Sequence, residues 1–250
     1  MRTWCTLTRR ELAGYFLSLR GYIIIAAAAF MMGYSFVVLL VNLQKEPTPM
    51  PVTEVFYNTQ FFWLILLLTA PVITMRLFAL EKFSGTFETL MTTPVSDVQV
   101  VLAKFAAAMV FYLVMWLPLL PCLLIVRHYT YQAAGFDAGT IGSTYLGILL
   151  IGGLFISLGC CASALTRSQG VAAMISLAFG ASVYMLAYIA AQVPAGTSWQ
   201  NQVMACFTFF DQMHDFVRGV VDTRPIVLLV SLSLFFLFLT LRVVESRRWK

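Results

Sequence analysis

Six stretches of roughly twenty residues have no Asp, Glu, Lys or Arg in their interior, and each is long enough to cross a bilayer core as a helix. The spans they define cover residues 21–43, 56–76, 104–126, 140–166, 170–193 and 225–243. The last is the shortest, uncharged only from Pro225 to Leu241, and Arg242 can snorkel at its end. Backbone groups in lipid have no water to pair with, so runs like these must close their own hydrogen bonds as helices. Composition points the same way. The chain is 60% hydrophobic and 11% charged, where a soluble domain carries about 25% charged residues. Mean hydropathy is +0.86. A soluble enzyme, a disordered chain and a secreted disulfide scaffold are excluded. The expected fold is an all-α polytopic membrane protein with six transmembrane helices, one domain over residues 1–250. The first span starts behind a twenty-residue leader and is too long for the apolar core of a cleaved signal peptide.

Lysine and arginine set the expected orientation. With the N-terminus in the cytoplasm, twelve of the 16 basic residues lie on the inner side. Lys45, Arg127, Arg218 and Arg224 lie outside. Six spans then return the C-terminus to the cytoplasm. The pI of about 9.0 is mostly this bias and needs no nucleic acid.

Three segments between the spans carry pattern. In the leader, residues 1–20, Trp4, Leu7, Leu12, Tyr15, Phe16 and Leu19 follow helical spacing, interrupted by Arg9, Arg10 and Glu11. This reads as an amphipathic helix on the membrane surface, either an anchor or a contact for a cytoplasmic partner. In residues 77–94, Leu80, Phe83, Phe87, Leu90 and Met91 share one helical face, with Glu81, Lys82, Gly85 and Glu88 on the other. Pro94 stops that helix, and Ser96 with Gln99 forms a capping box for the third span. Residues 195–222 are rich in large apolar side chains, Trp199, Phe207, Phe209, Phe210 and Phe216 among them, and are expected to dip back into the outer leaflet as a re-entrant helical hairpin. Asp211, His214, Asp215 and Arg218 would lie near its outer end, as an exit gate, a contact for a periplasmic partner, or a solvated loop.

Enzyme chemistry is not indicated. No ionisable residue sits in the middle of a span, HExxH and GxSxG are absent, and the five cysteines form no CxxC. There is no GxxxxGK[ST], so any ATP hydrolysis belongs to another chain. No catalytic, cofactor or metal residue is expected. An ion-coupled secondary transporter could use helices broken at Pro71, Pro118 or Pro121, though no buried acid accompanies them. A non-transporting membrane scaffold is the third reading.

Arg76, Phe78, Ala79, Glu81, Gly85, Thr86, Glu88, Leu90, Thr93, Pro94, Asp97 and Lys104 together resemble the cytoplasmic loop of ABC-2 type transporter permeases. Residues 163–173 resemble the same family's turn between spans four and five. The tail from His214 to Asp222, with Glu245 to Trp249, resembles the gliding-motility-associated branch and the related nitrous-oxide-reductase maturation permease. The resemblance implies a permease dimer in the bacterial inner membrane, formed with a second copy or a homologous permease. It is driven by a separate cytoplasmic ABC ATPase that carries ATP and Mg, and export is the usual direction. Residues 77–94 become the coupling helix, and Glu81, Gly85, Thr86, Phe87 and Glu88 become the ATPase contact.

Arg76 and Lys104 are expected at the inner membrane boundary, anchored to lipid phosphate, with Arg76 also able to brace Glu81. Small residues recur every fourth position at Gly153, Ser157 and Cys161, and again at Ala172, Ser176 and Gly180. Both faces suit packing within one subunit. The resemblance implies a dimer through spans one and five, which favours the Ala172 face as the contact with a second copy. An apolar, acid-free interior suits lipids, amphiphiles or hydrophobic compounds better than small hydrophilic ions.

Overall fold

The computed structural model describes residues 2–45, 52–58, 61–85, 96–130, 138–192 and 208–246. Every described element is a helix: α1 (Arg2–Phe16), α2 (Leu19–Lys45), α3 (Val52–Asn58), α4 (Phe61–Thr74), α5 (Ala79–Ser84), α6 (Asp97–Trp116), α7 (Leu119–Thr130), α8 (Ala138–Leu165), α9 (Gln169–Gln192), α10 (Phe209–Val217) and α11 (Thr223–Ser246). Six segments are long and apolar enough to cross a membrane, Leu19–Val41, Phe61–Ser84, Asp97–Ile125, Gly139–Leu165, Gln169–Ala190 and Thr223–Ser246.

The helix ends follow local chemistry. Ser96 caps α6 by accepting from the Gln99 backbone N–H at 3.4 Å. Pro118 separates α6 from α7, whereas Pro71 stays inside α4 without ending it. α5 ends at Gly85, whose φ of +74° is the left-handed conformation that glycine adopts without strain. Thr86, Phe87, Glu88 and Pro94 lie outside the described residues, as do residues 195–207 of the expected re-entrant segment. The part of that segment described is α10.

α8 is the axis of the molecule. It packs against α4, α6, α9, α10 and α11, and every residue from Leu150 to Ala164 is buried. A helix apolar on all sides suits such a position. Lipid gives helices no hydrophobic reason to associate, so close van der Waals contact must do it. Glycine supplies the closeness. Gly152 sits under the Tyr112 ring of α6, Gly159 faces Thr74 of α4, and Gly147 faces Met213 and Phe216 of α10. In α4 the buried hydroxyls are satisfied within the helix, where Thr69 and Thr74 donate to the carbonyls of Ile65 and Ala70.

The leader is not simply laid on the membrane. α1 packs along α6, where Tyr15 stacks on Phe111 with ring centroids 4.7 Å apart and Phe16 meets the same ring edge-on at 5.5 Å. Tyr15 also donates from its hydroxyl to the Ile73 carbonyl of α4 at 2.8 Å.

Ala172, Ser176 and Gly180, the expected contact with a second copy, pack inward against the chain's own helices. All three are buried within the chain itself, Ala172 fully so, and a side chain at Gly180 would meet Leu67 of α4 and Phe155 of α8. Small residues let α9 approach its own neighbours. Its outward face is Met174, Met185, Tyr188 and Ile189.

Gly152→Val tests the axis directly. A β-carbon there would overlap the Tyr112 ring, so thermal stability in mild detergent should fall by about 1–3 kcal/mol. Gly142→Ala, on the same helix with nothing within 4 Å of its added carbon, should leave stability unchanged.

Candidate functional site

Two charged junctions hold the ends of the bundle. The first lies where α1, α5 and the start of α6 meet. Lys104 of α6 is only 2% exposed, and its Nζ lies 2.8 Å from Glu81 Oε1 of α5 and 3.1 Å from Glu11 Oε1 of α1. Arg10 closes the group from outside, 2.8 Å from the same Glu11 oxygen and 3.4 Å from the same Glu81 oxygen. Two carboxylates and two cations thus balance. Lys104 also sits over the Phe78 ring, 5.6 Å from its centroid. Glu81 Oε2 is buried with no partner.

Burial alone would raise the Glu11 carboxyl. The Lys104 charge and the hydrogen bonds from Arg10 and Lys104 outweigh it and hold the group below its ordinary value. The hydrogen bond to Glu11 in turn raises the Arg10 guanidinium.

The break between α4 and α5 is seated on the end of α8. Ser163 Oγ accepts from the backbone N–H groups of Phe78 and Ala79, both at 3.1 Å, and donates to the Met75 carbonyl at 3.3 Å. Lys82 donates to the Ala164 carbonyl. One hydroxyl therefore serves three backbone groups that leave the helical ladder at the turn. Beyond it α5 turns outward: Phe83 is 77% exposed, and Gly85 has open space on its Cα. Phe83 lines a shallow groove with Arg167, Ser168, Gln169 and Gly170.

The second junction is at the other end. Glu54 of α3 has a side chain only 3% exposed, and its Oε1 accepts from Arg218 Nε at 3.0 Å and Nη2 at 2.8 Å. His214 Nε2 of α10 lies 3.1 Å from the same oxygen. Neighbouring hydrogen bonds reinforce the tie. Thr53 donates to the Val217 carbonyl at 3.1 Å, Tyr57 to Phe210 at 3.1 Å, and Ser143 of α8 to Phe216 at 2.6 Å. Asp211 and Asp215 are exposed beside it.

The expected boundary pair is thereby divided. Lys104 is buried and ion-paired, so lipid phosphate is not its partner, and Lys104 with Arg10, not Arg76, binds Glu81. The expected outer group is divided too: His214 and Arg218 join Glu54, a lone acid at the end of a span with no pattern around it to mark it. In sequence Glu11 is only an interruption in the apolar period of the leader. Thr86, Phe87 and Glu88 lie outside the described residues. Among the described residues no group of His, Cys, Asp or Glu could hold a metal ion.

The architecture defines a polytopic helical membrane protein whose inter-span helices are locked to the bundle by buried ion pairs. The chain belongs to the ABC-2 family of transporter proteins, whose family model matches residues 20–242. No curated protein matches the chain. Family membership makes it a multi-pass membrane component of transport, an ABC permease subunit in kind, and that family implies an ABC ATPase partner in general.

Removing Lys104 leaves two partly buried carboxylates with Arg10 alone. Lys104→Met should lower stability by about 3–5 kcal/mol. A double-mutant cycle should show coupling between Lys104 and Glu81 and none between Arg76 and Glu81. The pH dependence follows from Glu11. Its folded form binds a proton less readily than the unfolded chain does, so its contribution is present above the unfolded carboxylate pKa and lost as pH falls through the lower folded value. The stability advantage of the native protein over Glu11→Gln should therefore be full at pH 7 and shrink on acidification below the ordinary glutamate range, read by thermal unfolding in detergent.

Proposed function

We propose that the chain is the membrane-spanning subunit of an ABC exporter, paired with a second copy or a homologous permease and driven by a separate cytoplasmic ATPase that carries ATP and Mg. One observation carries the reading: α5 is tied inward through Glu81 to Lys104, and so to α6 and α1, while Phe83 and Gly85 face outward. A push on Phe83 and Gly85 is thus delivered to the third span and to the leader together. For ATP to do work, the ATPase must favour one arrangement of these helices over another. Glu81 acts as the inner end of the coupling element, and Gly85, Thr86, Phe87 and Glu88 as its contact with the ATPase. The turn from Arg167 to Gly170 borders the same groove.

The excess of Lys and Arg at this end supports its placement in the cytoplasm, with both termini, in the bacterial inner membrane. The outward faces of α2, with Phe30 and Val37, and of α9, with Met174 and Met185, are the surfaces offered to the second permease. The apolar interior supports a lipid, amphiphile or hydrophobic cargo. The tie of Glu54 to Arg218 and His214, with Asp211 and Asp215 beside it, serves as an outer gate or a periplasmic contact. The tail that resembles the maturation branch supports the second role.

Mild-detergent affinity purification from native membranes, followed by mass spectrometry, should recover a stoichiometric P-loop ATPase. Phe83→Glu should reduce its recovery at least about tenfold, a loss of some 1.4 kcal/mol, without unfolding the permease. A folded, dimeric preparation with no ATPase would point to an ATP-independent carrier.

A further inference from the structure

α8 meets each charged junction through one buried serine. Ser163, in its last turn, seats the break before α5: its hydroxyl accepts from the Phe78 and Ala79 N–H groups and lies 3.3 Å from the Met75 carbonyl. Two buried backbone N–H groups depend on that hydroxyl, and the helix they lead into carries Glu81 to Lys104. Ser143, near the start of α8, lies 2.6 Å from the Phe216 carbonyl at the end of α10. Arg218, which binds Glu54, follows two residues on. Gly219 comes next with a φ of +90°, and a β-carbon there would lie 3.1 Å from Thr140 Oγ1, so the end of α10 is seated on the first turn of α8.

About 30 Å of helix separates the two serines. The stretch holds no proline, and it is buried throughout from Leu150 to Ala164. Gly152 and Gly153 are adjacent glycines of the kind at which helices kink, but the Tyr112 ring occupies the space over Gly152. A close-packed helix of this kind moves as a unit between discrete arrangements and does not bend away a displacement at one end.

We propose that α8 is a rigid strut that couples the Glu81–Lys104 junction to the Glu54–Arg218 junction, with Ser163 and Ser143 as its two positioning contacts. The strut is a property of the chain alone and does not depend on the ATPase reading. Coupling of this kind is reciprocal, so release at either serine must be felt at the opposite junction. Sites this far apart with no shared partner otherwise behave independently.

Hydrogen exchange of the full-length protein in lipid nanodiscs tests the proposal, with the α5 amides reporting one junction and the α10 amides the other. Ser163→Ala should speed exchange in α10 about fivefold as well as in α5, and Ser143→Ala should speed exchange in α5 by a comparable factor. Ser157→Ala removes a hydroxyl just as buried, but one spent on the Leu154 carbonyl of α8 itself, and should change neither end. In all three variants the amides of residues 150–160 should stay protected. If Ser163→Ala does not fold, Ser143→Ala read at α5 decides alone. Effects confined to the mutated end, an effect in one direction only, a matching effect of Ser157→Ala, or a rise that includes residues 150–160 would overturn the strut.

Discussion

A lysine ammonium sealed from solvent in so apolar a chain persists only if carboxylates come to it. Lys104 is that ammonium, and Glu11 and Glu81 come from segments 93 and 23 residues away. The desolvation of such a group is costly, and the low local dielectric that makes it costly also strengthens the pairs that relieve it. Two elements outside regular span-to-span packing, α1 and α5, thereby become one body with α6. α1 gains a fixed position on α6, where Tyr15 and Phe16 close over Phe111, and α5 gains a fixed inner end. The polar junction specifies where these helices sit, and the aromatic contacts hold them there.

The same logic recurs at the far end with different parts. Glu54 is buried there, and α10 brings Arg218 and His214 to it. Between the two ends runs α8, whose glycines bring α4, α6 and α10 into contact. It also links the junctions mechanically, because Ser143 near its start holds the Phe216 carbonyl and Ser163 near its end holds the turn into α5. A displacement at one end has a short, well-packed route to the other. Whether that route is used in transport depends on two arrangements of the bundle differing in free energy, which is the condition for any coupling between sites.

The six spans were legible because charge is so expensive in lipid that its absence over twenty positions is nearly a statement of location. The amphipathic leader was legible from its period, and the Ser96 cap from its spacing to Gln99. What periodicity does not encode is which surface an apolar face will meet. Tyr15 and Phe16 suited a lipid surface or a helix equally well. The small residues of α9 suited a second copy or the chain's own α4 and α8. Lys104 read as a lipid anchor because a lysine at a span boundary usually is one, and its carboxylate partners lie far off in sequence. Glu54 left no signal at all, since one acid at the end of a span looks the same exposed or buried. Of the residues proposed to meet the ATPase, Glu81 and Gly85 are placed, and Thr86, Phe87 and Glu88 lie outside the described residues.

Lys104 clamps the leader to the bundle through Glu11. Hydrogen exchange of the α1 amides in lipid nanodiscs tests it most directly, because exchange reports the free energy of local opening. In the native protein the amides of residues 10–16 should be protected nearly as well as those of α6, and Lys104→Met should release α1 while the middle of α8 stays protected. Equal protection of α1 in both proteins would show that aromatic packing or the membrane surface holds the leader without the ion pairs, and would contradict the account.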